Sequence, residues 1–370
     1  MLYEMQSDQF KSVRPLFAGL RFQPFCTAVL AGLRAVRVFV DNRKHPKTAF
    51  VSCEDSWCFL AGKADNTAFN HALNQAIFER SVVPSTVSFL SLTCDSEDWK
   101  NAIDTICAPY PPAPVTRRHY VCHTATFDWR AHLPAGFTVQ QMSEAVFSSS
   151  ELRVPDEIRE TWEGWCHNTH PDFRDFGFVA IHEDPAAPAI VAWATVDAVV
   201  DGIGDAGLFT VDAYRRRGLA VATTGAALEY GLSHGLAEIS WTCAEDNLGS
   251  IRTAEKLGLE RQSDYTFYYF AFDKVEHLSL AGYAHLQTGR YQAAVEMLEQ
   301  CLALNTDLPC YVDFDAARAR AGIGDHAKAL EHLSHAIDKG WTYVEPLITG
   351  KEFETLHTMP EWEALLARIQ

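Results

Sequence analysis

Residues 208–231, LFTVDAYRRRGLAVATTGAALEYG, carry the pattern in this chain with the clearest chemical meaning. An apolar strand ends near Val211, the chain turns through residues 212–217, and an apolar helix begins at about Gly218. The first amides of a helix have no intrahelical acceptor and sit at the positive end of its dipole. Together they form an anion site suited to a pyrophosphate. Gly218 and Ala220 keep side chains from holding such an anion off the backbone. Arg215, Arg216 and Arg217 add positive charge to a chain whose formal net charge is −17.

Other reactive residue types are less organised. Trp162, Trp165, Cys166, His167 and His170 crowd one stretch. Its C-H-x-x-H spacing suggests a metal only superficially, because adjacent Cys and His do not easily share one tetrahedral site and no second pair lies nearby. These residues line a substrate pocket or simply pack, and no metal is expected. A GxSxG nucleophile elbow is absent. The ten cysteines are scattered with no CxxC pair, which reads as small buried hydrophobes in a reducing compartment rather than disulfides or zinc ligands.

The elements that must position this chemistry fall into three segments, as 370 residues suggest. Strands over residues 37–42, 48–54 and 57–62 and a helix around Phe69, Leu73 and Ile77 make residues 1–115 a mixed α/β domain, closed by a linker at Pro109, Pro111, Pro112 and Pro114. Residues 116–274 alternate strands and helices: strands over 136–141, 176–183, 189–199, 205–211, 237–244 and 265–272, and helices over 220–235 and 250–258. Residues 275–370 read as all-α. Aligning GRYQAAVEMLEQCL on GDHAKALEHLSHAI places Gly289 under Gly324, 35 residues apart, beside the tetratricopeptide period of about 34. The fold class is therefore α/β (α+β) with a helical tail. A hydrophobic content of 48% suffices for real cores. No apolar run approaches the length of a membrane span and the start lacks a signal-peptide layout, so the expectation is a soluble, cytoplasmic protein. The acidic balance argues against nucleic acid or anionic membrane as partner and is compatible with a cationic amine.

The run Arg215-Arg216-Arg217-Gly218-Leu219-Ala220 resembles the R/Q-x-x-G-x-G/A signature of the GNAT acetyltransferase superfamily, which cradles the diphosphate of coenzyme A. Asn247, Ser250, Ala254 and Leu257-Gly258 resemble the N-x-x-S/A helix that closes over the pantetheine arm. Strand order resembles the family over residues 137–272, and the segment Ser240–Cys243 with residues 40–62 looks like a bacterial branch that includes the zwittermicin-resistance type. The resemblance implies acetyl-CoA as cosubstrate, held by Phe209, Thr210, Val211, Arg215, Arg216, Arg217, Gly218, Leu219, Ala220, Asn247 and Ser250. It implies direct attack of an amine on the thioester, with an oxyanion donor at a backbone N–H near Thr210 or Val211. Asp205 stands where many members carry a glutamate base; it is either that base or an exposed residue after the Gly-Ile-Gly turn. Glu245 and Asp246 could act through water or cap the next helix. The usual tyrosine acid is replaced by Ala254, leaving Tyr265, Tyr268 and Tyr269 on the last strand, with Tyr265 first, or an unprotonated thiolate. The first domain has no such motif, so no second active site is expected even if it is a degenerate acetyltransferase half.

Three functions remain in view: acetylation of a small hydrophilic amine, acetylation of a protein chosen by the helical tail, and an inert CoA-binding or interaction protein. The tail could equally mediate self-association or pack on the main body.

Overall fold

The computed structural model describes every residue except Asp55, Pro111, Pro185, Asn305, Thr306 and Gln370. Two compact units emerge, each drawing on segments distant in sequence: residues 3–53 with 117–265, and residues 1–2 and 54–116 with 266–370. The proline-rich boundary is shorter than the sequence suggests. Pro114 sits at the start of strand Ala113–Cys122, where a missing N–H is tolerated, and Pro111 lies outside the described residues.

The first unit contains a mixed sheet. Its strands are β1 (Ala113–Cys122, joining from Arg117), β2 (Phe137–Gln141), β3 (Phe176–His182), β4 (Ala189–Val200), β5 (Ile203–Thr210) and β6 (Glu238–Ala244). The order across the sheet is β1-β6-β5-β4-β3-β2, antiparallel except for the parallel β5–β6 pair. Strands β4 and β5 are joined by Asp201-Gly202, both at positive φ, the conformation of a two-residue type I′ hairpin. The helices used below are α1 (Pro24–Leu30), α2 (Asp156–His167), α3 (Leu219–Ser233) and α4 (Leu248–Lys256).

Alternation along β4 and β5 gives the sheet two different faces. Ala194, Val196, Ala206 and Leu208 pack with Val221, Ala227 and Leu228 of α3 in an apolar core. The opposite face carries Trp193 against Trp165 of α2, and Ala198 against Ala28 and Leu33 from the α1 region. Between these apolar patches the second face is polar, and there the residues of the candidate site gather.

The other unit pairs strand Trp57–Gly62 in parallel with Phe89–Cys94, which runs antiparallel to Tyr265–Ala271. Strand Phe89–Cys94 and helix Lys100–Cys107 had no counterpart in the sequence reading. Beyond them come two helical hairpins, Lys274–Gln287 with Tyr291–Leu304 and Cys310–Gly322 with His326–Asp338, whose turns use Gly289 and Gly324 at positive φ. Close packing depends on small residues, since a Cβ added to Gly282 would lie 2.5 Å from Leu298 Cγ. Gly282→Val is accordingly expected to destabilise this unit by about 1–3 kcal/mol, read as a lowered midpoint in urea; an unchanged midpoint would mean the two helices do not touch there.

Candidate active site

Strand β5 changes partners along its length. It pairs with β6 only at Ile203–Glu238, Gly204–Ile239 and Asp205–Ser240, and then the two strands part. Each keeps its outer neighbour: β5 stays on β4 as far as Thr210–Ala192, and β6 stays on β1 as far as Ala244–Arg117. A fork therefore opens in the middle of the sheet. The Val211 N–H is spent on Val191 O at 2.9 Å, so by alternation the N–H groups of Phe209 and Gly207 also face β4. Those of Ala206, Leu208 and Thr210 face the fork. Of the two expected oxyanion donors, Val211 is thus excluded by its own hydrogen bond, and Thr210 and Leu208 are the residues whose amides point into the gap.

Just past the fork lies the turn to α3. Gly218 is the N-cap with φ 84°, a left-handed conformation that costs other residues, and no side chain caps the helix. Ala222 N bonds Gly218 O at 3.0 Å, so Leu219, Ala220 and Val221 precede the first intrahelical hydrogen bond and offer their amides outward. The requirement for glycine is therefore first conformational; the nearest atom to an added Cβ is His132 O at 3.5 Å, an ordinary contact. Two of the three arginines also shape the turn. Arg215 bonds Asp212 at 2.8 Å and Thr210 O at 3.3 Å, and Arg217 bonds Ala213 O at 3.2 Å and lies over the Tyr214 ring. Arg216 is exposed and itself at φ 61°. The uncapped helix start, flanked by these cations, fits a diphosphate.

At the closed end of the fork the polar face presents a carboxylate pair. Asp205 is directly opposite Asp197 across the β4–β5 ladder. Their alignment comes from a β-bulge: between the 203–200 and 205–197 pairs, β5 has one residue and β4 has two, with Ala198 at φ 54°. Asp175 accepts the Val199 N–H of the bulge at 3.0 Å and is bound by Arg34, which also reaches Asp197 at 3.8 Å. Thr195 donates to Asp197 at 2.6 Å. Asp205 is half-buried, but its Oδ1 is shut off from solvent and has no hydrogen-bond partner. Burial and the Asp197 charge raise Asp205 to about 7, against the opposing pull of Arg117. Burial and Asp175 raise Asp197 to about 6, with Thr195 and Arg34 opposing.

Beside Asp205 the polar face continues onto β6 and β1. Arg117 donates to Thr242 O at 3.2 Å and Thr242 Oγ1 at 3.1 Å. Ser240 Oγ donates to Phe22 O at 3.3 Å, so the His119 Nε2 that lies 3.2 Å from the same hydroxyl is the donor to it. Burial lowers the His119 pKa and keeps the ring neutral. The Tyr265 ring packs on Phe22 with centroids 4.9 Å apart, and burial raises its phenol pKa while Arg117, Thr242 and Gln23 pull the other way. Phe209 stacks on Trp193 at 4.7 Å and is 40% exposed, so it adds an aromatic side chain to this face rather than a backbone amide to the fork.

Other residues singled out from the sequence have local partners. Asn247 is the N-cap of α4, its side chain accepting the Ser250 N–H at 3.0 Å, and Ser250 Oγ accepts from Trp241 Nε1. Ala254 is fully buried in the α3-side core. Glu245 lies 3.8 Å from Arg118. His167 Nδ1 contacts Glu163 O and His170 Nδ1 accepts the Asp172 N–H. Tyr268 and Tyr269 belong to the other unit, and Tyr269 packs edge-on to Phe89. Sequence reasoning missed Arg34, Asp175, Asp197, Gln23 and His119; even the Asp201-Gly202 turn gave no local signal for Asp197, because a regular hairpin there would set Asp205 opposite Ala198.

A family model described as GNAT acetyltransferase matches residues 14–268. The chain is 24% identical over 271 residues to an uncharacterized N-acetyltransferase, YdfB, of Bacillus subtilis (strain 168), covering 73% of this chain and 98% of that protein. Its fold is similar to a GCN5-related N-acetyltransferase-like protein from Streptococcus suis 89/1591 (20% identity, TM-score 0.51, 72% of this chain and 100% of that one). It is also similar to a tandem GNAT protein from the clavulanic acid biosynthesis pathway (13% identity, TM-score 0.50, 74% and 98%).

The charge state of Asp205 has a consequence for stability. The unfolded carboxyl releases its proton near pH 4, whereas the folded one holds it to about pH 7. The unfolded state therefore binds fewer protons across that window, and stability falls as pH rises through it. Asp205→Asn removes this penalty. Relative to wild type it should gain on the order of 2 kcal/mol between pH 4.5 and pH 8 in urea denaturation, with the gain complete just above pH 7; a pH-independent difference would place the Asp205 pKa in the ordinary range.

Proposed function

The chain belongs to the GNAT acetyltransferase family, and from that premise we propose that it transfers an acetyl group from acetyl-CoA to a primary amine of a small hydrophilic molecule. The observation that carries this reading is the coincidence, along one strand, of an uncapped helix N-terminus at one end and an elevated carboxylate at the closed end of a fork. Leu219, Ala220 and Val221 would hold the diphosphate through their N–H groups, with Arg215, Arg216 and Arg217 supplying charge. Amides of Leu208 and Thr210 would pair with the extended arm and polarise the thioester carbonyl. Coenzyme A supplies the activated acyl group; the remaining work falls to side chains of the polar face.

Asp205 takes a proton from the acceptor ammonium, directly or through water, as a base matched to neutral pH. The nitrogen lone pair then forms the C–N bond as the C–S bond breaks. Sulfur leaves as a thiolate, which a thiol pKa near 8.5 makes tolerable, and the proton that the new amide nitrogen must still lose passes to that sulfur, directly or through water, giving the free thiol. Burial keeps Tyr265 protonated, so its phenol serves as a hydrogen-bond donor to the leaving sulfur more readily than as a full proton source. In the same reading Asn247 and Ser250 support the coenzyme side indirectly, by starting α4 where it flanks β6. The helical hairpins of the tail, with Gly289 and Gly324 in equivalent turns, favour a tetratricopeptide-like pair that engages a protein partner or a second copy. This part lies outside the family match.

The test is turnover of acetyl-CoA with a panel of small amines, read as thiol release. kcat/KM is expected to rise with pH through about 7, following ionisation of Asp205 in the free enzyme. Asp205→Asn should lower kcat/KM by roughly 10²–10⁴-fold and leave acetyl-CoA affinity unchanged. Gly218→Val, which forces a branched residue into the left-handed region, should weaken acetyl-CoA binding about tenfold in calorimetry. Wild-type protein that does not bind acetyl-CoA would overturn the reading.

A further inference from the structure

The polar face is roofed by a segment that no motif identified. Residues 14–34 cross it, held by Arg14 to Asp201 at 2.7 Å, by Arg34 to Asp175, and by Asn168 Nδ2 to Leu33 O at 3.0 Å. Helix α1 packs on β4 and β5, and Phe22 lies against both His119 and Tyr265. The next residue, Gln23, is only 3% exposed, yet its Nε2 has no hydrogen-bond partner. Although Gln23 occupies the N-cap position of α1, its side chain makes no capping bond. The amide instead faces the Tyr265 hydroxyl and acts on it as a donor that lowers its pKa, while Asp205 raises it, yet neither Gln23 Nε2 nor Tyr265 Oη has a hydrogen bond of ordinary geometry.

Three polar groups from three distant segments of this unit therefore keep unused capacity: Gln23 Nε2, Tyr265 Oη and Asp205 Oδ1. A buried donor left unpaired is costly, and it persists where something other than the folded chain completes it. The Asp205 carboxylate suits an amine. Gln23 Nε2 can only donate, and what it lacks is an oxygen acceptor.

We propose that Gln23 is a specificity-determining residue that donates a hydrogen bond to an oxygen on the acyl acceptor, and that the acceptor is an amine that also bears a hydroxyl or carbonyl oxygen. The N-terminal segment thus selects the acceptor, while the fork and α3 hold the coenzyme. This rests on the acetyl-transfer reading above. A site built to pair with an oxygen rejects a shape-matched analogue lacking it, because its own buried donor is then stranded.

Two shape-matched pairs test the proposal: ethanolamine against propylamine, and 2-amino-1,3-propanediol against 3-aminopentane. Wild-type enzyme should favour the oxygenated member by roughly 100-fold in kcat/KM. Gln23→Met, similar in volume and without the donor, should bring the ratio within about threefold, chiefly by losing the oxygenated substrate. Its acetyl-CoA affinity should be unchanged and its melting temperature equal or higher, since no internal bond of Nε2 is lost. Equal use of both members by wild type, an unaltered ratio in Gln23→Met, or no turnover of either oxygenated amine by protein that binds acetyl-CoA overturns the proposal. A lowered melting temperature with an unaltered ratio would make Gln23 a structural residue. Failure to bind acetyl-CoA, by contrast, strikes the acetyl-transfer reading itself.

Discussion

Backbone hydrogen bonding along β5 is the constraint on which the site depends. A central strand normally has both edges paired, because buried N–H and C=O groups left without partners are costly. Here β5 is paired on both sides for three residues and on one side thereafter. The freed edge is a row of amides at a spacing of about 3.3 Å per residue, open to any extended polar molecule that can act as a substitute strand. The five steps from Asp205 to Thr210 span roughly 17 Å. One rigid element thus fixes the distance between a carboxylate at the closed end and the anion-binding helix start beyond the open end. Such a spacing suits a molecule that is extended, anionic at one end and reactive at the other.

The closed end is held against electrostatic strain. Asp197 and Asp205 face each other on adjacent strands, and Asp175 lies close enough to raise Asp197. Like charges so placed destabilise a sheet. Two features contain this cost. The bulge at Ala198 and Val199 gives Asp175 a backbone donor, and Arg34 spans Asp175 and Asp197 from the N-terminal segment. Burial, with the remaining repulsion, raises both carboxyl pKa values, and in the acetyl-transfer reading that same shift would ready Asp205 for proton transfer near neutrality. Stability and chemistry are opposed in the same residue.

How much of this was legible in the sequence follows from the range of each interaction. The turn Asp201-Gly202 and the run from Arg215 to Ala220 are local, and their residue types state their geometry: positive φ in one, an open helix start in the other. The strands flanking them were legible because apolar alternation is local too. Asn247 was legible as a functional-looking position but ambiguous, since the residue types that cap a helix are those that bind ligands; its side chain caps α4. The bulge was not legible, because Ala198 at φ 54° runs against its own preference and is imposed by Asp175, 23 residues earlier. Nor was the role of residues 14–34, which meet the sheet through contacts far away in sequence.

That last contact explains the division of the chain. If residues 14–34 belonged with the strands that follow Cys53, the polar face of β4 and β5 would stand open to water, and Asp205 would titrate as an ordinary surface carboxyl. Instead, Ser240 holds the Phe22 carbonyl and Arg34 holds Asp175, so the segment is fixed at both ends, over β6 and over the bulge. Removing water from this face strengthens every charge interaction within it. It also leaves polar atoms of Gln23, Tyr265 and Asp205 without an internal hydrogen bond of ordinary geometry, where a bound molecule could complete them. A cover that merely stabilised the sheet would be expected to bury apolar atoms, as Ala28 and Leu33 do on Ala198. At Gln23 the same cover buries a polar side chain instead, one whose Nε2 finds no partner of ordinary geometry in the chain. A bound acceptor would supply that partner.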